Sequence, residues 1–260
     1  NLVVTGGCAL NCVANYKLLK SLPKDITLYA EPVSDDSGVS MGGAMQTSDM
    51  NTQCKLENLY LGTQLKYDYE LLKHETESDI TVEEVAKLLT EGNIVAIAQG
   101  RSEIGPRALG NRSILFDPRV KDGKDIVNKT KNREWFRPFA GTVLLEHARD
   151  WFDMDRLEES PFMSYAIDVL PEKQELIPSI VHFGTCRIQT VTREQNKHYY
   201  DLISDFYKQT DVPILFNTSF NLSGDTIAET IDDALSTLRR SKIEYLYLPE
   251  INKLVYIPNK

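Results

Sequence analysis

The sequence predicts an α/β fold, and three observations carry that expectation. Short apolar runs that read as buried strands recur along the chain, among them Leu2-Val3-Val4, Val95-Ala96-Ile97-Ala98 and Ile214-Leu215-Phe216. Stretches with the apolar spacing of helices lie between them. At 260 residues, 42% of them hydrophobic, the chain can bury one large core or two modest ones. One complete domain plus part of another is the expected organisation. Asn1 is not a start methionine and a buried strand stands at the very beginning, so we expect a fragment whose N-terminal part is missing.

Taken in order, Leu2 to Thr5 is a strand that ends in Gly6-Gly7, and Ala9 to Leu19 has helical spacing in Leu10, Val13, Leu18 and Leu19. Strand, paired glycines and helix together put backbone amides where an anion or nucleotide can approach; a plain turn is the competing reading. Ile26 to Ala30 is the next strand, ending at Pro32, followed by Asp35-Asp36-Ser37-Gly38 ahead of the small-residue segment Val39 to Met45. Carboxylates there suit a metal or a nucleotide-bound cation. Equally, Asp36 or Ser37 could cap a helix. From about Thr47 to Ser78, around Asn51-Thr52-Gln53, the chain turns polar without a sustained period and reads as a linker.

Thr81 to Glu84 has capping-box spacing and starts a helix with Val85, Leu88 and Leu89 on one face, ending at Gly92. The strand Ile94 to Ala98 follows, then a basic stretch from Gly100 to Ala140 in which Ile126 to Lys131 forms a short helix. Thr142 to Leu145 is strand-like, Ala148 to Phe152 a short helix, and Ser164 to Leu170 another strand. Val181 to Val191 reads as one extended run, with His182, Thr185 and Arg187 near Gly184; a histidine so placed is read as structural. His198 to Gln209 is amphipathic. Ile214-Leu215-Phe216 ends in Asn217-Thr218-Ser219-Phe220-Asn221, where side chains after a strand could hold a ligand or simply form a turn. Thr230 to Arg240 is a capped helix, and Tyr245 to Leu248 and Lys253 to Ile257 close the fold as strands.

The basic stretch is the chemical centre. It sets Arg101, Arg107, Arg112, Arg119, Lys129, Lys131, Arg133 and Arg137 into a chain of formal net charge −9. Guanidinium groups are planar, permanently charged forks that suit phosphate or carboxylate. A solvated face is the bland alternative. Ile104, Pro106, Leu109, Ile114, Trp135, Phe136 and Phe139 interleave with the cations, which argues for stems running beside a core. Buried arginine needs an anion, supplied either by a ligand or by side chains such as Glu103, Asp117 and Glu134. The acidic balance argues against a nucleic-acid partner. No apolar run is long enough to span a bilayer, so no membrane partner is expected. Cys8, Cys12, Cys54 and Cys186 show neither metal spacing nor a disulfide-dense pattern, which suits a cytoplasmic setting.

Six motifs, in order, resemble the O-carbamoyltransferases of the nodulation, tobramycin and cephamycin type: GGCALNCVAN from Gly6, SDDSGVSMGGA from Ser34, GPRALGNRSIL from Gly105, NKTKNREWFRPFA from Asn128, FGTCRIQTV from Phe183 and FNTSFN from Phe216. The resemblance implies a YrdC-like twisted open sheet with helices over residues 56–260. Before it, residues 1–55 would be the C-terminal part of an actin/Hsp70-like (Kae1-like) α/β domain. It also implies an enzyme that forms carbamoyladenylate from carbamoyl phosphate and ATP, then passes the carbamoyl group to a hydroxylated small-molecule acceptor. Implied cofactors are ATP with magnesium, and divalent iron or a similar metal in a complete Kae1-like site. A homodimer is allowed. A tRNA threonylcarbamoylation-type enzyme and a catalytically idle anion-binding module remain as alternatives.

By the same resemblance Lys131 and Arg137 contact carbamoyl phosphate and ATP phosphates, with Arg187 as a third catalytic cation. Arg107, Arg112, Asn217 and Ser219 join as substrate and ATP contacts, and Gly6, Gly7 and Asn11 fall at the nucleotide-binding turn. Asp36 matches a metal ligand, but the histidine pair that completes the family's metal site is absent, so a metal should bind poorly and this chain should form carbamoyladenylate yet transfer it slowly or not at all. The first half-reaction needs no protein nucleophile; positioning and charge neutralisation carry it.

Overall fold

A computed structural model describes residues 1–48, 56–73 and 75–258. Asn51-Thr52-Gln53 and Cys54 lie outside the described residues. The first part is small. Strand β1 (Leu2–Val4), helix α1 (Cys12–Ser21), strand β2 (Leu28–Ala30) and helix α2 (Gly38–Thr47) follow in order, with β1 and β2 paired in parallel. Side-chain hydrogen bonds tie this part to the larger body of the chain. Tyr16 donates its hydroxyl to the Asp153 carbonyl at 2.6 Å, and Arg156 reaches the carbonyls of Leu19 and Leu22 at 2.6 and 2.8 Å. Leu19 lies in the last turn of α1 and Leu22 is its C-cap, so neither carbonyl has a helical partner.

The rest is built on one nine-stranded mixed sheet. Its elements are α3 (Tyr69–Leu72), β3 (Thr76–Asp79), α4 (Val82–Thr90), β4 (Val95–Ala98), β5 (Arg112–Phe116), α5 (Gly123–Thr130), β6 (Ala140–Leu144), α6 (Ala148–Trp151), β7 (Ala166–Asp168), β8 (Thr185–Val191), α7 (Lys197–Thr210), β9 (Ile214–Ser219), α8 (Ile231–Arg239), β10 (Tyr245–Leu248) and β11 (Lys253–Tyr256). The strand order is β3-β11-β10-β4-β5-β9-β6-β8-β7. Only β10 with β4 and β6 with β8 run parallel; the other neighbours are antiparallel.

The central strands β4, β5 and β6 are buried at every residue, because helices and loops cover both faces. Phe116, Val143, Leu202, Phe206 and Leu215 share one apolar cluster, while Ile114, Ala234, Leu235 and Leu246 share another. Helix α4 starts as its sequence demands: Glu84 N donates to Thr81 Oγ1 at 3.3 Å, and Thr81 N donates to Glu84 Oε2 at 2.8 Å. Thr230 and Asp233 form the equivalent box on α8.

Three expectations are corrected. First, the described part of the stretch read as linker is woven into the fold. Leu59, Leu65 and Leu72 are buried, Leu65 N donates to Gly100 O at 2.8 Å, and Ser102 N donates to Thr63 O at 3.0 Å. The strap runs so close that a Cβ at Gly62 would sit 2.0 Å from Ser102 Oγ, and β3 adds an edge strand. Backbone pairing of this kind leaves no side-chain periodicity to read.

Second, the strand at Ile214 does not stop at Phe216. It runs on through Asn217, Thr218 and Ser219, whose polar side chains therefore stand on the sheet and not in a turn. Third, the run from Val181 is broken: His182 and Thr185 close a tight turn with reciprocal backbone bonds of 2.7 and 3.0 Å. Phe183 at φ 49° and Gly184 at φ 77° supply its left-handed corner.

Candidate active site

A cavity of about 540 Å³ opens where β9, the start of β8, the turn after α5 and the loop between β4 and β5 converge. Five cations line it: Arg107, Lys131, Arg133, Arg137 and Arg187. No carboxylate stands among the lining residues. The cations come from three places in the fold, with Lys131, Arg133 and Arg137 all on the segment between α5 and β6. Arg187 is the third residue of β8. Lys131 follows the last turn of α5, and Arg133 follows Asn132, whose φ of 53° turns the chain back along the cavity. Arg107 sits on the loop that the strap 59–65 braces.

Lys131 is 1% exposed. Its ammonium donates to the Ser219 carbonyl, to Ser219 Oγ at 3.3 Å and to Asn221 Oδ1 at 3.0 Å, all uncharged acceptors. Burial, with the Arg133 charge second, brings its pKa down to about 7. Arg107 is pulled down to about 10 by burial and by the neighbouring positive charge of Arg187. Burial also lowers Arg187, whose Nε is enclosed without a partner. Arg133 is lowered by burial and then by Arg137 and Arg187, and lies over the Phe139 ring at 5.2 Å.

Among the described residues only Arg137 of the five forms an ion pair, with Glu134 at 2.6 Å, and both partners are half-exposed, so that bond is weak. At the other four no ion pair forms among the described residues: Asp35 acts on Arg107 and Glu134 on Arg133 only from a distance, too weakly to keep either guanidinium from being lowered. Asp117 pairs with Arg119, and Glu103 accepts backbone N–H groups instead of a guanidinium. Positive groups held together against burial and mutual repulsion are an arrangement that an anion with several negative oxygens would stabilise.

The structure brings Lys131, Arg137, Arg187, Arg107, Asn217 and Ser219 together on this cavity. Arg112 is not on its wall. The side chain is 1% exposed and donates to the carbonyls of Gln99, Asn111, Gly100 and Glu229, so it staples the chain beneath the site and touches no ligand space. Asn217 is fully buried; its Nδ2 holds Ala108 O at 3.2 Å and Thr142 Oγ1 at 3.0 Å, while its Oδ1 has no partner. Arg133 and Asn221 also line the cavity; the sequence placed both in candidate stretches without assigning either a contact of its own. The signal was present: Lys131 with Arg133, and Ser219 with Asn221, are pairs two residues apart in the two motifs that converge here.

Gly6, Gly7 and Asn11 lie in the small first part, off the cavity wall. Gly6 at φ 77° opens the turn before α1, and Asn11 Oδ1 caps that helix by accepting Ala14 N at 3.0 Å. One bond links this end to the cavity: Arg107 Nη2 donates to Leu10 O at 3.4 Å. Asp36 is exposed. Neither it nor Ser37 caps α2 with a side chain. Among the described residues no group of three or more His, Cys, Asp or Glu could hold a metal ion, so the residues present do not fit the metal that the family resemblance implies. No helix among them is long and apolar enough to cross a membrane.

Comparison with known proteins agrees with the motifs. Residues 86–253 match the family described as Carbamoyltransferase C-terminus, and residues 1–45 match the one described as Carbamoyltransferase N-terminus. Nodulation protein NolNO of Sinorhizobium fredii is 38% identical over 262 residues, covering 94% of this chain and 38% of that protein. Nodulation protein NolO of Bradyrhizobium diazoefficiens is 37% identical over 261 residues, covering 94% of this chain and 47% of that protein. The chain therefore spans less than half the length of these relatives. Among solved structures, full-length HypF in its phosphate- and nucleotide-bound form aligns at TM-score 0.45 and 20% identity, covering 63% of this chain and 21% of that one. Sua5 of P. abyssi complexed with L-threonine aligns at TM-score 0.45 and 13% identity, covering 65% and 46%. Likenesses that slight carry no argument about the site.

Proposed function

The chain belongs to the carbamoyltransferase family, and from that premise we propose that it is the adenylate-forming part of an ATP-dependent O-carbamoyltransferase. The observation that supports this most is the cavity itself: five cations, a single half-exposed carboxylate beside them, and a buried ammonium held only by neutral acceptors. Residues 56–260 form the adenylating unit in this reading, and residues 1–55 belong to the unit that hands the group on.

Carbamoyl phosphate yields carbamate and phosphate by hydrolysis of its acyl phosphate bond. A carbamate oxygen then attacks the α-phosphorus of ATP, the bond to the β-phosphate oxygen breaks, and pyrophosphate leaves. Arg187, Arg133 and Arg107 hold the phosphate oxygens and take up the charge that grows on the leaving group, which lowers the barrier without any covalent step on the protein. Lys131, anchored by Ser219 and Asn221, presents the one proton-bearing group whose charge an incoming anion restores. Arg137 exchanges Glu134 for phosphate. Magnesium would have to arrive on the ATP, because the lining has no carboxylate for it. In the second half-reaction a hydroxyl of the acceptor attacks the carbamoyl carbon, and AMP departs. The cytoplasm, where ATP is plentiful, is the compartment this chemistry suits.

The test is isotope exchange. With carbamoyl phosphate present, labelled pyrophosphate should enter ATP, and Arg187→Ala should abolish the exchange. Absence of exchange in the wild-type chain, or exchange that ignores Arg187, would remove the proposal.

A further inference from the structure

The loop that carries Arg107 has few supports of its own. Among the described residues the backbone from Gly105 to Ala108 makes no backbone–backbone hydrogen bond. Pro106 has no N–H to give, and Gly105 stands at φ 92°. Its outside supports are Ile104 N on Leu59 O at 2.8 Å, the Asn217 amide on Ala108 O, the Arg107 side chain on Leu10 O at 3.4 Å, and the Val33 side chain, which a Cβ at Gly105 would meet at 3.6 Å. What closes the loop is Glu103. One oxygen, Oε1, accepts N–H from Leu109 at 2.7 Å, Asn111 at 2.9 Å and Arg112 at 3.3 Å. The other oxygen is buried with no partner. Burial pushes this carboxyl up, against the pull of the Leu109 and Asn111 amides.

A buried carboxylate satisfied on one side is costly, and the nearby Arg112 guanidinium offsets that cost only in part, because burial still pushes the carboxyl up. The return is shape: residue 103 is tied to residues 109, 111 and 112, so the five residues between 103 and 109 form a closed loop with Arg107 near its middle. Charge-assisted bonds to backbone N–H groups hold such a geometry about twice as firmly as neutral ones.

We propose that Glu103 is a positioning residue, a clasp that aims Arg107 into the cavity, and that the phosphate affinity of the site depends on Glu103 through Arg107. The inference rests on the cavity being a phosphate site, as proposed above. It differs from a merely structural role in one respect: once Arg107 is gone, loosening the clasp costs no further affinity.

Pyrophosphate is the probe, titrated calorimetrically into the full chain at neutral pH, with affinity taken per folded molecule. Arg107→Ala should weaken binding about tenfold and Glu103→Ala about fivefold, while the double variant stays near tenfold and does not fall to about fiftyfold. Glu103→Gln keeps an acceptor at the Oε1 position and should stay within about twofold of wild type. If the alanine variant fails to fold, Glu103→Asp, which withdraws the oxygen by one methylene, runs the same cycle. Independent, multiplying losses, or a folded Glu103→Ala chain with undiminished affinity, would overturn the clasp. A wild-type chain that binds no pyrophosphate would instead overturn the phosphate site on which the clasp depends.

Discussion

Replacing Lys131 with methionine separates stability from function most sharply. The folded protein holds this ammonium near pKa 7 against an ordinary value of 10.5. At about 1.4 kcal/mol per pH unit, keeping it charged at pH 7 costs the apo fold on the order of 4 kcal/mol. Methionine removes that cost with nearly the same volume, but it strips a donor from the Ser219 carbonyl and from Asn221 Oδ1, a penalty of about 1–3 kcal/mol. The apo variant should therefore be as stable as wild type or more stable by about 1–3 kcal/mol. Pyrophosphate affinity should fall at least about thirtyfold, the worth of one charge-assisted contact in a dry site. Urea denaturation reads the first quantity and calorimetric titration the second. A variant that loses several kcal/mol of stability while still binding pyrophosphate would refute the reasoning.

Further consequences come from the same geometry. Because the folded pKa of Lys131 is depressed, the unfolded chain binds more protons between pH 7 and 10.5, so apo stability should rise with pH across that window. In Lys131→Met the rise should vanish, which pH-dependent denaturation can check. Pyrophosphate binding at pH 7 should take up about half a proton more in wild type than in Lys131→Met, read from titrations in buffers of different ionisation enthalpy. Gly110 has φ 108°, and a Cβ there would lie 2.1 Å from the Tyr199 ring, so Gly110→Ala should cost about 2–4 kcal/mol and lower the melting temperature by roughly 5–15 °C. Arg112→Lys should lose about 2–3 kcal/mol of stability as carbonyls under the site go unpaired, with pyrophosphate affinity per folded molecule within about threefold of wild type.

Much of this was legible in the residues. The apolar runs of β4 and β9, the capping boxes of α4 and α8 and the interleaved cations of Gly100 to Ala140 each carry a local physical signal, and the cavity stands where that last signal lies. What was not legible depends on direction or on distant partners. Arg112 and Arg107 look alike in sequence, five residues apart; only the pairing of Arg112 opposite Ala98 in the sheet sends its guanidinium to the carbonyls of Gln99 and Gly100. Asn217 reads in sequence as a turn residue because polar side chains on a buried strand make sense only when Thr142 and Gln189 arrive from β6 and β8 to bond them. The strap at 59–65 is held by main-chain bonds, to which side-chain periodicity is blind. Arg133 does not stand out beside Lys131, because nothing in a single motif says which of several cations will share a wall with Ser219 and Asn221.

The central claim is that these cations hold the phosphates of ATP. Its most direct test is a crystal structure of the chain with a non-hydrolysable ATP analogue and magnesium. The account predicts phosphate oxygens within about 3 Å of Lys131 Nζ and of the Arg187 and Arg133 guanidinium groups, with Arg137 released from Glu134. Phosphates bound away from these side chains, with the five cations keeping their present arrangement, would contradict it.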